Sequence, residues 1–265
     1  MRVRRQIAVA VTAMFLILPP NADAVSEYDL MEPVMLNVSL GTGFEFFSGD
    51  YGTGETVDTW QIPLLIEWGP HPRFGLSVEI PYVYQSSSNS QTVMIGRRAT
   101  ETTSSESGLG DISVDANITL ISESVHSPRL LALLYAKLPT ADDQKGLGTG
   151  EFDWGGGVGI GKRFEAWSAY AEGLYVVAGS SDLYPLDNYW NWLASLSYRV
   201  STTLRPGLSL SGGTPPFAGS DGPLEIKARL SGLGGERTSY NVYFSRGLSD
   251  GSPDWGIGLF GYLDF

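Results

Sequence analysis

Period-2 alternation of apolar and polar side chains recurs in twelve segments of this chain, roughly every twenty residues, and leaves few folds open. In the fourth segment Ile112, Val114, Ala116, Ile118 and Leu120 interleave with Asp111, Ser113, Asp115, Asn117 and Thr119. The third sets Phe74, Leu76, Val78, Ile80, Tyr82 and Tyr84 against Gly75, Ser77, Glu79 and Gln85. The second sets Trp60, Ile62, Leu64, Ile66 and Trp68 against Gln61, Pro63 and Glu67, and the first sets Val34, Leu36, Val38 and Leu40 against Asn37, Ser39 and Gly41. In the eighth, Trp190, Trp192, Leu196 and Val200 oppose Asn191, Ser195, Ser197 and Arg199. Segments at 130–138, 152–162, 167–177, 204–211, 224–230 and 238–245 are less regular, and Trp255–Phe265 closes the set. A strand points successive side chains to opposite faces, so each segment carries one greasy and one polar face.

The links between segments alternate in length. Short ones fall around His71, around Val125, at Arg163–Ala166, at Ser201–Thr203 and at Ser231–Arg237. Long ones, rich in Gly, Ser and Asp, fall at 47–57, 86–107, 139–151, 179–188, 212–223 and 247–254. That asymmetry is expected of a bacterial outer-membrane barrel, with short periplasmic turns and longer outer loops. The aromatic residues gather at segment ends, where interfacial girdles belong. A water-soluble β-sandwich also alternates, but two tryptophans and three long aliphatics on one face of one segment suit lipid better than water. The expected fold is all-β, a transmembrane antiparallel β-barrel of about 12 strands.

Residues 1–24 read as a secretory signal peptide: Arg2, Arg4 and Arg5 precede an apolar run from Ile7 to Leu18, and Ala22-Asp23-Ala24 is a cleavage site. Residues 25–265 are then the barrel domain. The final segment ends on Phe265, the kind of terminal aromatic strand that the barrel assembly machinery reads. The expected address is therefore the outer membrane of a Gram-negative bacterium, with outer-membrane lipid as a partner. Zero cysteines suits passage through an oxidising periplasm. Removing residues 1–24 takes away Arg2, Arg4, Arg5 and Asp23, leaving 14 basic and 28 acidic residues and a net charge of −14. Such a balance argues against nucleic acid.

Gly108-Leu-Gly-Asp-Ile112, then Leu138-Pro-Thr140, then Lys145-Gly-Leu-Gly-Thr-Gly150 and Asp153, resemble the outer-membrane family labelled "putative MetA-pathway of phenol degradation". Pro63 and Pro81-Tyr82 also resemble it, whereas Ala141 departs from it, since the family usually follows Pro-Thr with Gly. The resemblance implies a transporter-like barrel, a channel for small and often aromatic molecules.

With the apolar faces turned to lipid, the inward residues can be named. Glu45, Glu67, Glu79, Asp111 and Asp115 form an acidic arc, and Arg199, Arg205, Lys227 and Arg229 a basic arc roughly across the ring. Two readings stand: a transverse field that orients polar solutes, or ion pairs that brace the barrel. A second inward group is apolar: Leu131, Leu133, Tyr135, Tyr170, Leu174, Tyr243, Phe260 and Tyr262. It reads either as a greasy track for hydrophobic or aromatic solutes or as a packed layer under an inward loop. Gly155, Gly157, Gly159 and Gly161 leave space beside it. Pro63 and Pro81 remove ladder donors within strands, which marks a bend or a lateral weak point in the wall.

Loop 86–107 is expected to be a solvated outer loop, with an inward constriction as the alternative. Asp142, Asp143, Glu151 and Asp153 match no calcium loop and read as an acidic surface. Catalysis would need a histidine near the outer rim, yet His71 and His126 both fall in expected periplasmic turns, and no HExxH or P-loop pattern occurs. No cofactor or metal is expected. The leading expectation is passive uptake of small, hydrophobic or aromatic molecules. The alternatives are a plugged structural or adhesive barrel and, behind it, an outer-membrane enzyme.

Overall fold

A computed structural model describes residues 38–52, 56–87, 105–181 and 185–265, with the backbone alone of 93–95 and 98–100. The expected signal peptide, together with Val34, Leu36 and Asn37 of the first segment, lies outside the described residues. The strands are β1 (Val38–Gly49), β2 (Val57–His71), β3 (Phe74–Ser87), the short β4 (Val93–Ile95) and β5 (Arg98–Thr100), β6 (Ser105–Leu109), β7 (Ile112–Ile121) and β8 (Arg129–Leu138). After a single 3-10 turn at Asp143–Lys145 come β9 (Asp153–Phe164), β10 (Trp167–Val177), β11 (Tyr189–Tyr198), β12 (Leu204–Gly213), β13 (Leu224–Gly235), β14 (Thr238–Gly247) and β15 (Trp255–Asp264).

β3 pairs with both β6 and β7, and apart from the β1–β15 seam every other neighbour in the sheet is the next strand in sequence. β1 pairs with β15 from Ser39↔Asp264 to Ser48↔Trp255, which closes the ring. β6 and β7 make one stave offset by one residue: Tyr82 faces Leu109 in β6, whereas Glu79 faces Ser113 in β7. The result is a closed antiparallel barrel of twelve staves, the fold of outer-membrane barrels. Closure matters because an open edge in lipid would leave backbone donors and acceptors unpaired.

The two faces are sorted as lipid demands. Ile62 is 53% exposed on the outer wall, while Leu65, three residues on, is fully buried inside. Trp60 and Trp68 sit at opposite ends of the outer face of β2. Eight residues at about 3.4 Å each span about 27 Å along the strand, or about 20 Å after tilting, close to the apolar band of such barrels. Phe44, Phe46, Trp60 and Trp255 interlock at the end bearing the long loops, with centroid distances of 4.4–5.0 Å. Trp167 and Tyr198 meet at 4.8 Å at the other end. These are the two girdles.

Three boundaries differ from the sequence expectation. β13 continues to Gly235 with a bulge between Leu233 and Gly235, so the link to β14 is shorter than 231–237. Glycines interrupt the alternation there, which hides the strand. β11 ends at Tyr198, which puts Arg199 in a turn. Loop 86–107 contributes β4, β5 and β6, and Arg97 lies outside the described residues.

Candidate functional site: the barrel lumen

The inward apolar residues form two walls. On β8, β10 and β11, Leu131, Tyr170 and Leu193 pack together with Leu133 beside them. Above them Tyr135, Val176, Tyr189 and the flanking Leu174 join Leu186 and Phe217 from the outer loops. The second wall, on β1, β2, β14 and β15, joins Phe47, Leu65, Tyr243 and Phe260, with Tyr262 against it. The ring order sets the two walls roughly across the lumen from each other. The eight residues expected in one track are thus divided five and three between them. The Tyr170 ring lies where a side chain on Gly159 would stand, so part of the β9 glycine face accommodates an aromatic ring.

The charged residues are placed as follows. Glu45 is fully buried on β1 and accepts a 2.6 Å hydrogen bond from the Tyr243 hydroxyl. Glu79 accepts one of 2.7 Å from Gln61. Asp115 lies on the inward face of β7, opposite Tyr135. Glu67, with Asn241, Tyr262 and Asp264, lines a cavity of about 100 Å³ at the mouth that bears the short turns. On the other arc, Arg205 and Lys227 are buried, and Arg229 is half-buried with its guanidinium over Gly207. Lys227 Nζ stands 3.8 Å from Glu225 and 4.4 Å from the centre of the Tyr243 ring. Tyr243 therefore links the basic arc to Glu45 in the acidic one. Arg199 does not join them: it is exposed and donates to the Glu165 carbonyl at 3.2 Å. The strand stops two residues earlier than the alternation of its segment, which runs to Val200.

The residues that carry the family resemblance converge at the outer end of the lumen. Lys137, buried to 1% exposure, places Nζ 2.8 Å from Asp153 and 3.7 Å from Asp111, and donates to Thr149 Oγ1 at 2.6 Å. Asp111 also accepts the backbone N–H groups of Ala141 and Thr149. Thr140 Oγ1 accepts from Ile112 N and donates to the Gly110 carbonyl, replacing ladder bonds at the stave offset. Loop 139–151 is thereby held inside, with Leu147 fully buried. Asp142 caps the 3-10 turn and stays exposed, whereas Asp153 is fully buried against the lysine and is not part of an acidic surface. Residues 185–188 and loop 212–223 also fold inward, joined by Asp187 N to Pro216 O at 2.7 Å.

Pro63 and Pro81 stand directly opposite each other. Assigned pairing between β1 and β2 skips from Thr42↔Leu64 to Glu45↔Gln61 at the same level. On the far side, Gly110 N donates to Pro81 O at the stave offset. The β2–β3 register itself runs unbroken through the two prolines, so the irregularities at this height lie on either side of the pair, toward β1 and toward β6 and β7.

Sequence reasoning passed over Lys137, Arg129, Glu172, Phe47, Leu65 and Leu193 as lumen residues. Parity alone reveals most of them: Arg129 and Lys137 continue the inward series of Leu131, Leu133 and Tyr135. The inward fold of the loops had no such signal.

The family model described as "Putative MetA-pathway of phenol degradation" matches residues 47–264, more than four-fifths of the chain. No curated protein matches the sequence. Among solved structures, the COG4313 outer membrane channel from Pseudomonas putida F1 is similar, with a TM-score of 0.68 and 16% identity over 89% of this chain and 98% of that one. The translocator domain of the autotransporter NalP from Neisseria meningitidis has a TM-score of 0.60 and 13% identity over 97% and 98%. The CymD monoaromatic hydrocarbon channel has a TM-score of 0.50 and 7% identity over 96% and 93%. At these identities the likeness is one of fold.

Proposed function

We propose, since this chain belongs to the family described as "Putative MetA-pathway of phenol degradation", that it is a passive outer-membrane channel for small hydrophobic solutes, aromatic compounds foremost. The observation that carries this reading is the pair of apolar walls inside the barrel. Barrel interiors are ordinarily polar, so two buried aromatic and aliphatic clusters facing a lumen suit an apolar cargo. One barrel of similar fold is itself described as a monoaromatic hydrocarbon channel, in line with this reading. The proposed activity is passage without chemistry. The acidic and basic arcs supply a transverse field that biases which ions accompany the solute.

A lateral exit is a second reading, favoured by the gap in β1–β2 pairing and the stave offset on the two sides of Pro63 and Pro81. An apolar solute leaving there enters lipid without crossing the acidic periplasmic mouth. We also propose that residues 1–24 are a cleaved export signal and that Phe265, exposed at the rim, is read by the assembly machinery.

The test is uptake of labelled ethylbenzene by a deletion strain expressing the wild type, Tyr135→Asp or Phe260→Asp, with equal amounts of folded barrel in the outer membrane. Uptake is expected to fall to the level of the empty strain in both variants. Wild-type rates in both would mean that the walls are packing alone.

A further inference from the structure

The inward face of β11 carries a column of hydrogen-bonding groups: Tyr189, Asn191, Ser195 and Ser197, interrupted only by Leu193. Tyr189 is 2% exposed and Ser197 1%. Among the described residues nothing hydrogen-bonds the Tyr189 hydroxyl, either polar atom of the Asn191 amide, or the hydroxyls of Ser195 and Ser197. No other described strand carries as many such groups. Proteins leave few buried polar groups unsatisfied, because each has given up its bonds to water. Four on one face of one strand, at a spacing of about 7 Å per inward step, form a feature of the lumen and not a local packing fault.

The neighbours of the column give it a purpose. Across the β10 ladder, Tyr189 faces Val176, Asn191 faces Leu174 and Ser195 faces Tyr170, all members of the first apolar wall. On the β12 side, Asn191 faces Gly213, so no side chain opposes its amide in that ladder, whereas Ser197 faces Gly207, over which the Arg229 guanidinium stands. The column itself holds no charge. Glu172, held by Tyr170 at 2.6 Å, stands opposite Leu193 and opposes an anionic solute.

Resting on the channel reading above, we propose that this column is the polar half of an amphipathic track. The apolar wall of β8 and β10 takes the body of the solute, and β11 hydrogen-bonds one neutral substituent step by step. The substrate class is then a neutral hydroxylated aromatic, favoured over the bare hydrocarbon and over the carboxylate. Hydroxyl and amide groups each donate and accept, so a phenolic hydroxyl finds a partner at every polar step. A site that hydrogen-bonds a substituent discriminates against analogues lacking it.

Three solutes of matched skeleton test this in the deletion strain: 4-ethylphenol, ethylbenzene and 4-ethylbenzoate. The variants are Asn191→Leu and the double Ser195→Ala/Ser197→Ala, each checked for folded barrel in the outer membrane. Uptake of 4-ethylphenol is expected to fall at least fivefold, most in Asn191→Leu, while ethylbenzene stays within twofold of wild type. If 4-ethylphenol is unaffected, or both neutral solutes fall together, the column has no role in recognition, although the channel reading survives. Wild-type uptake of 4-ethylbenzoate at the rate of 4-ethylphenol would overturn the preference for a neutral substituent. If the wild type passes no solute faster than the empty strain, the channel reading fails and this inference with it.

Discussion

The Tyr243 hydroxyl reaches Glu45 at 2.6 Å although the two residues lie 198 positions apart and on strands that do not pair. Between them runs β15, where Gly258 pairs with Tyr243 on one side and Glu45 on the other. A side chain on Gly258 would overlap the Tyr243 ring, so the bond exists because the closing strand has glycine in that row.

Tyr243→Phe removes a hydrogen bond to a buried carboxylate, which costs about 1.5–3 kcal/mol. Gly258→Val displaces the same ring and adds the strain of overpacking, about 1–3 kcal/mol. Urea unfolding of the barrel in lipid is expected to show both losses. Equal midpoints for wild type and Tyr243→Phe would mean the contact contributes nothing to closure.

Lys137→Met leaves Asp111 and Asp153 buried together without their cation. Breaking a buried pair in this way costs about 3–5 kcal/mol. Loop 139–151 is expected to leave the lumen, so single-channel conductance in a planar bilayer rises. An unchanged conductance would show that the loop is held by Leu147 and Thr140 without the ion cluster.

Pro63→Ala with Pro81→Ala restores two ladder donors to the wall. Uptake of ethylbenzene is expected to slow severalfold while ion conductance along the axis stays the same. If the two change in parallel, the prolines only bend the barrel.

Lys227→Glu with Arg229→Glu turns the basic arc acidic. The reversal potential in a salt gradient is expected to shift toward cation preference. No shift would remove the transverse field as a functional feature.

Acid sensitivity has one identifiable source outside the membrane. Glu123, in the turn between β7 and β8, is pushed up by burial, but this is outweighed by hydrogen bonds from the Arg163 backbone and guanidinium and by the charges of Arg163 and Lys162. The net shift is below the ordinary carboxylate value. A lowered folded value gives stability that is full above the unfolded value and lost as pH falls through the folded one. Glu123→Gln is expected to be less stable than wild type at neutral pH and equal to it in strong acid. A constant difference across that range would contradict the assignment.

Much of this was legible in the residues themselves. Alternation is a property of extended backbone, so twelve staves, their lipid faces, the aromatic girdles and the parity of Glu45, Lys227 or Phe260 follow from local pattern. The same parity applied to β8 points to Lys137. Where glycines blur the pattern, as in β13, or a stave stops early, as beside Arg199, local reasoning loses the boundary.

The tertiary structure alone decided which inward residues meet. Ring order divides one expected track into two walls, and register puts Gly258 beneath Tyr243 and Pro63 against Pro81. The loops were decided the same way: Leu147 and Phe217 are buried because Lys137, Asp111 and the first apolar wall receive them. Period-2 pattern records the face on which a side chain stands. It carries no record of stagger between staves or of where an irregular loop comes to rest, since both depend on contacts between residues far apart in sequence.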